Sequence, residues 1–169
     1  MLKISNISFS IQGKLLFNDA SAIVPAGHKV GLVGRNGAGK STLFKLIKKS
    51  LLLDKGTIET PSYFKISGVE QEVPSSDISL IDTVLEADTE RAQLLQEAEL
   101  CEDAQRITDI YQRLYDIEAH SAEARAAAIL SGLGFDNEAQ ERPCHEFSGG
   151  WRMRVALGAV LFSKPDLLL

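Results

Sequence analysis

The sequence predicts an α/β fold with an N-terminal antiparallel β portion, a strand–loop–helix unit built around a glycine-rich loop, and an α-helical insertion before a last helix and strand. Three observations carry this. Gly34-Arg35-Asn36-Gly37-Ala38-Gly39-Lys40-Ser41-Thr42 completes the pattern GxxxxGK[ST]. Apolar residues alternate with period two before that loop and recur three and four apart after it, the spacings of strand and helix. Between Ser76 and Ala126 there are 13 Asp/Glu, 4 Arg and no Lys, a net −9 against +4 for the remainder. A charged middle with helical spacing is the mark of an exposed insertion.

In chain order, Ile4, Ile7, Phe9 and Ile11 belong to a strand over 2–11, and Gln12-Gly13-Lys14 is a hairpin turn. Leu15–Phe17 and Ala20–Val24 continue the strand pattern to the turn Pro25-Ala26-Gly27. Val30, Leu32 and Val33 read as a buried parallel strand entering the loop. A helix follows, with Leu43, Phe44, Leu46 and Ile47 on one face and Lys45, Lys48 and Lys49 on the other. Asp54-Lys55-Gly56 turns into Thr57-Ile58-Glu59, and Tyr63–Val69 is a further strand that ends at Gln71. Ser79 to about Ala98 reads as one helix and Glu102 to Ala119 as its antiparallel partner, with Tyr111 and Tyr115 as packing residues. Ser121 is expected to cap an alanine-rich helix that stops at Gly132 or Gly134. Ser148-Gly149-Gly150-Trp151 opens the last helix, with Val155, Leu157, Val160 and Leu161 on its apolar side. Ser163-Lys164-Pro165-Asp166 ends it, and Leu167–Leu169 starts a buried strand. The expected parts are 1–75 (β and phosphate-loop core), 76–146 (helical arm and subdomain) and 147–169 (Ser-Gly-Gly turn, helix and strand).

The chemistry concentrates in two places. At Gly34–Thr42 the glycines bring backbone N–H groups against phosphate oxygens where a Cβ would clash. Lys40 supplies a flexible charge for the β- and γ-phosphates, Ser41 a hydroxyl for Mg²⁺, and the following helix its positive N-terminal end. The chain is therefore expected to bind a nucleoside triphosphate. Ser148-Gly149-Gly150 at a helix start is a second place where a hydroxyl and bare N–H groups converge on an anion. Alone it is a weak signal, usually a turn with an N-cap; about a hundred residues after a phosphate loop it is a strong one.

Composition excludes other classes. At 169 residues, 44% hydrophobic and 24% charged, with no apolar run of bilayer length, the chain suits one domain with a helical insertion. Met1-Leu2-Lys3-Ile4 enters a strand directly, without the parts of a secretory signal, so a cytoplasmic location is expected. Cys101 and Cys144 form no CxxC pair, and His28, His120 and His145 are scattered; none is assigned chemistry.

With these motifs in this order, the chain resembles the nucleotide-binding domain of ABC-type ATPases over essentially its whole length. The resemblance implies a P-loop NTPase fold of ABC type and ATP held between two such domains facing head to tail. It implies that Lys40 neutralises the β/γ-phosphates, that Ser41 and Gln71 serve Mg²⁺, and that Thr42 bonds the α-phosphate. It also implies that Ser148, Gly149 and Gly150 contact ATP held mainly by a partner domain. Trp151-Arg152-Met153-Arg154 after the Ser-Gly-Gly turn, the long charged helical pair, and Val30–Thr42 are similar to the first ABC domain of the ABC-F group. Those are soluble proteins with two ABC domains in one polypeptide, many of which act on the ribosome. The aromatic that the family stacks on adenine falls by register at Ile11, which is aliphatic; Phe9 and Phe17 are the alternatives.

The family's Walker B Asp and Glu would follow Leu169. The chain is therefore expected to be the front part of a larger protein, or a truncated product, that cannot hydrolyse ATP alone although its intact parent would. The alternatives are an ATP-binding subunit of a membrane transporter and a non-catalytic nucleotide-binding remnant. An arm of charge −9 is expected to meet basic protein rather than RNA phosphates.

Overall fold

Strand β1, Leu2–Ile11, owes its shape to Asn6. In a regular strand Ile4 and Ile7 would point to opposite faces. Asn6 takes φ 49°, the register shifts between Ile4 and Ile7, and the bulge turns both side chains inward, 7% and 1% exposed. The bulge is held from β2, Lys14–Val24, where Ser21 Oγ accepts from Asn6 N–H at 2.9 Å and Asp19 Oδ1 from Asn6 Nδ2 at 2.8 Å. The two strands are antiparallel, joined at Gln12-Gly13 as the turn signal requires, and Phe9 faces Phe17 across the ladder. The structure, a computed structural model, describes residues 1–69 and 76–169.

After helix α1, Lys40–Ile47, strand β3, Lys55–Glu59, pairs with the other edge of β1, giving the order β2-β1-β3. Gly56 makes this approach possible. Its φ is +86°, and a Cβ placed there would lie 2.4 Å from Asn6 O and 2.5 Å from Ser5 O. We expect Gly56→Ala to destabilise the protein by about 2–4 kcal/mol, because both backbone strain and a clash must be relieved. Urea unfolding checks this; a loss under about 0.5 kcal/mol would show that β3 moves aside freely.

Two expectations for this part need correction. Residues 28–33 form no strand, and Val30, Leu32 and Val33 are 65%, 42% and 94% exposed. A buried parallel strand needs ladder partners on its edges, from segments remote in sequence, and the described residues supply none. The strand expected over Tyr63–Val69 is confined to β4, Ile66–Ser67, because Pro61 O accepts from Phe64 N–H in a turn that leaves Tyr63 exposed.

The helical expectations change in detail. The helix expected from Ser79 to Ala98 is two: α2, Leu80–Leu85, and α3, Thr89–Leu100. Asp88 separates them by turning its carboxylate onto Arg91 N–H at 3.1 Å and starting a new helix. The break matters, because Leu80, Ile81 and Val84 of α2 are core residues, whereas α3 buries nothing. Helix α4, Ala104–Asp116, lies against α3, capped by Asp103 and tied by Glu97–Arg106 and Glu90–Arg113, both at 2.6 Å. Arg106 holds the Glu97 carboxyl below its usual range, through its hydrogen bonds first, and Glu97 raises the guanidinium in return. Whatever this pair adds to stability is thus present at neutral pH and lost as pH falls through the lowered carboxyl value. Tyr111 and Tyr115, read as packing residues, are 60% and 72% exposed, since α4 turns Ile110 and Leu114 inward instead.

Ser121 precedes α5, Ala122–Gly132, without capping it; its hydroxyl donates to Glu118 O at 3.0 Å. The core of this part gathers α2, α5, the short α6 (Asn137–Gln140) and α7 (Gly149–Phe162) around Leu80, Val84, Leu130, Phe135, Val155 and Phe162. Ala122 and Ala126 are fully buried, and Gly158 passes against Val84, Ile129 and Leu133, so the small residues serve close helix packing. On α7 the inward face is Val155, Gly158 and Phe162, while Leu161 is 41% exposed. The last strand, β5, Leu167–Leu168, leaves Leu168 46% exposed, which corrects the expectation that it is buried. The chain divides into two compact units, residues 1–67 with Leu169, and 68–168.

Candidate functional site

In the first unit the loop Gly34–Lys40 closes on itself. Arg35 O accepts from Ala38 N–H at 3.1 Å, and the Lys40 ammonium reaches back to Gly34 O at 2.7 Å and Arg35 O at 2.9 Å. Lys40 therefore spans the loop from inside, with its charge held at the mouth. Gly39, φ +95°, is the N-cap of α1 and offers the helix no side-chain acceptor. The first turn carries no acidic residue, so its N–H groups and positive helix end face an opening lined by an exposed Ser41 and a half-buried Thr42. Loop N–H groups, an ammonium and a hydroxyl next to one another suit a polyphosphate with a hard divalent cation.

Phe17 lies against this loop, and tertiary structure picks it out. A Cβ on Gly39 would lie 3.1 Å from the Phe17 ring, so the ring sits directly on the helix N-cap. Of the three residues considered beside a nucleoside, Phe9 is 7% exposed inside the core, and Ile11 lies at the hairpin end opposite Lys14. Phe17 alone combines an aromatic face, partial exposure and contact with the phosphate loop.

The second motif lies in the other unit, where its approach is held by a short ladder. Leu80 N–H donates to Arg142 O, Cys144 N–H to Ile78 O and His145 N–H to Ser76 O, at 2.9–3.1 Å. His145 Nδ1 adds a 3.0 Å contact to Asp77. Ser148 then sits at the N-cap of the 14-residue helix α7 in extended conformation, but its hydroxyl caps nothing. Gly149 and Gly150 have open space around them, with no atom within 4 Å of an added Cβ. Packing within the chain does not require glycine at either position. Gln71, the other residue assigned to Mg²⁺, lies outside the described residues.

Among the described residues no cluster of three His, Cys, Asp or Glu could hold a metal by itself, and no helix is long and apolar enough to cross a membrane. Comparison with known proteins gives one answer. The family model described as ABC transporter matches residues 17–169. "Probable ATP-binding protein YheS" of Haemophilus influenzae is 42% identical over 172 residues, which is 100% of this chain and 27% of that protein. "ATP-binding cassette sub-family F member 3" of Mus musculus is 41% identical over 99% of this chain and 24% of its own length. The chain thus spans about a quarter of the curated relatives it matches. Among solved structures, an ATP-binding subunit of an ABC transporter superposes with TM-score 0.73 at 18% identity, over 99% of this chain and 64% of the other. A nucleotide-free ATP-binding cassette gives 0.68 at 20%, over 99% and 67%. The phosphate loop, the Ser-Gly-Gly helix start and the α/β architecture that carries them have a common explanation: the chain belongs to the ABC transporter family of ATP-binding domains, with relatives in its F sub-family.

Proposed function

We propose that this chain binds MgATP as an ABC domain of an ABC-F-type ATPase, with Gly34–Thr42 cradling the phosphates. The observation that carries this is Lys40, held across a closed loop at the uncapped start of α1. Lys40 serves the β/γ-phosphates, Thr42 the α-phosphate, and Ser41 with Gln71 the Mg²⁺. Ser148, Gly149 and Gly150 close over ATP held by a second ABC domain, in the same polypeptide or in a dimer; the free hydroxyl and unfilled space there support this. Action on the ribosome is the biological role we favour, because relatives at about 40% identity are F sub-family members whereas likeness to transporter subunits is at the level of fold. With its acidic arm, contact with basic protein suits it better than contact with RNA.

Calorimetric titration of the chain with ATP in Mg²⁺ tests the core of this reading; no binding below millimolar concentration would overturn it. The same titration tests the nucleoside wall. We expect Phe17→Ala to weaken ATP about 5- to 10-fold, as loss of an aromatic contact does, while tripolyphosphate binding stays within about twofold. Equal losses for both ligands would mean that Phe17 only supports the loop.

A further inference from the structure

The turn that carries Ser148 has almost nothing of its own to hold it. Two successive glycines make a helix start that frays readily, and neither has a side chain to anchor. Ser148 spends no hydroxyl bond on the helix, and its carbonyl accepts the first helical bond, from Arg152 N–H at 2.9 Å. Its orientation must come from the residues on either side.

Both sides rest on one buried ring. Phe135, 2% exposed, meets Phe147 before the turn, with centroids 5.8 Å apart and planes at 79°. It meets Trp151 after the turn at 5.1 Å and 64°. Both are edge-to-face arrangements, which are directional as aliphatic contacts are not. Phe135 is itself fixed, since its carbonyl accepts from the buried Gln140 amide at 3.1 Å, and Gln140 also donates to Ser131 Oγ. The outer faces carry cations: Arg142 lies 5.1 Å over Phe147 and is paired with Glu146, and Arg154 lies 4.4 Å over Trp151. Phe135, Arg142, Phe147, Ser148 and Trp151 line an open cleft of about 350 Å³, so this arrangement borders the surface. Trp151 remains 39% exposed, more than a residue kept for core filling.

Resting on the composite-site reading above, we propose that Trp151 is a positioning residue: clamped between Phe135 and Arg154, it sets the aim of the Ser148-Gly149-Gly150 turn toward a partner's bound triphosphate. It touches no nucleotide itself. Its contribution is to keep a glycine-rich turn in a single orientation.

The test uses the whole chain with Trp151→Ala, Trp151→Phe and, as a control for general destabilisation, Val84→Ala in the same core. Backbone amide relaxation should show the order parameters of Gly149 and Gly150 falling from about 0.85 to below about 0.6 in Trp151→Ala. They should recover in Trp151→Phe and stay rigid in Val84→Ala. Sedimentation with ATP should show pairing of two chains weakened at least tenfold in Trp151→Ala and within threefold of wild type in Trp151→Phe, with single-chain ATP affinity unchanged within twofold. Rigid glycines in Trp151→Ala, or the same loss in Val84→Ala, would overturn the proposal. Pairing that ignores Ser148→Arg would instead overturn the composite-site reading, while the glycine measurement still decides whether Trp151 holds the turn.

Discussion

Lys40→Ala should weaken ATP binding by roughly 30- to 150-fold, measured by calorimetry in Mg²⁺. In the free protein the Lys40 ammonium bonds two neutral carbonyls of its own loop, Gly34 O and Arg35 O. A triphosphate would offer anionic oxygens in their place, and a charge-assisted bond of that kind is worth about 2–3 kcal/mol over none. Alanine removes that bond and also the tie across the loop, so the cradle loosens before ligand arrives. The rest of the unit has little reason to change, since Lys40 is outside the core and its carbonyl partners stay solvent-accessible. Circular dichroism should therefore show a folded variant. Unchanged affinity would mean that the loop does not bind phosphate through this residue.

The second large effect should come from Ser148→Arg, through a different property. The Ser148 hydroxyl makes no cap hydrogen bond, and a Cβ added at Gly149 or Gly150 would meet no atom within 4 Å. A long side chain there has space in the single chain, at the cost of placing a cation at a helix N-terminus, about 0.3–1 kcal/mol. ATP affinity of the phosphate loop should stay within about twofold, because Ser148 and the loop belong to different units of the chain. ATP-dependent pairing should be lost, by at least a hundredfold, since the guanidinium fills the gap that two glycines leave open. Sedimentation velocity with and without ATP separates the two readouts. Pairing unaffected by Ser148→Arg would remove the head-to-tail arrangement from the account.

The phosphate-loop motif was legible before any coordinates, and the reason is local. A phosphate loop is recognised by backbone N–H groups, so its requirements fall on consecutive residues, and Gly34–Thr42 displays them as a string. The same holds for the hairpin turn at Gln12-Gly13, where both residues take positive φ. Reading failed where the outcome depended on something remote. Val30–Val33 has the composition of a buried parallel strand, but burial there needs neighbouring strands that the described residues do not supply. Helical spacing ran smoothly from Ser79 to Ala98, yet the Asp88 carboxylate competes for backbone N–H groups and starts a new helix. That one cap separates a core helix from an exposed arm.

The sequence by itself determined the motifs and their order: a phosphate-loop pattern, a Ser-Gly-Gly helix start, and an acidic helical arm between them, all set by residue types at fixed spacing. Only tertiary structure decided which aromatics lie against them. Phe17 reaches Gly39 because the bulge at Asn6 and the β1–β2 register bring it there. Phe135 spans the Ser148 turn because α5, α6 and α7 pack around it. Apolar side chains carry no directional signature in sequence; their partners follow from packing, which brings together residues far apart along the chain.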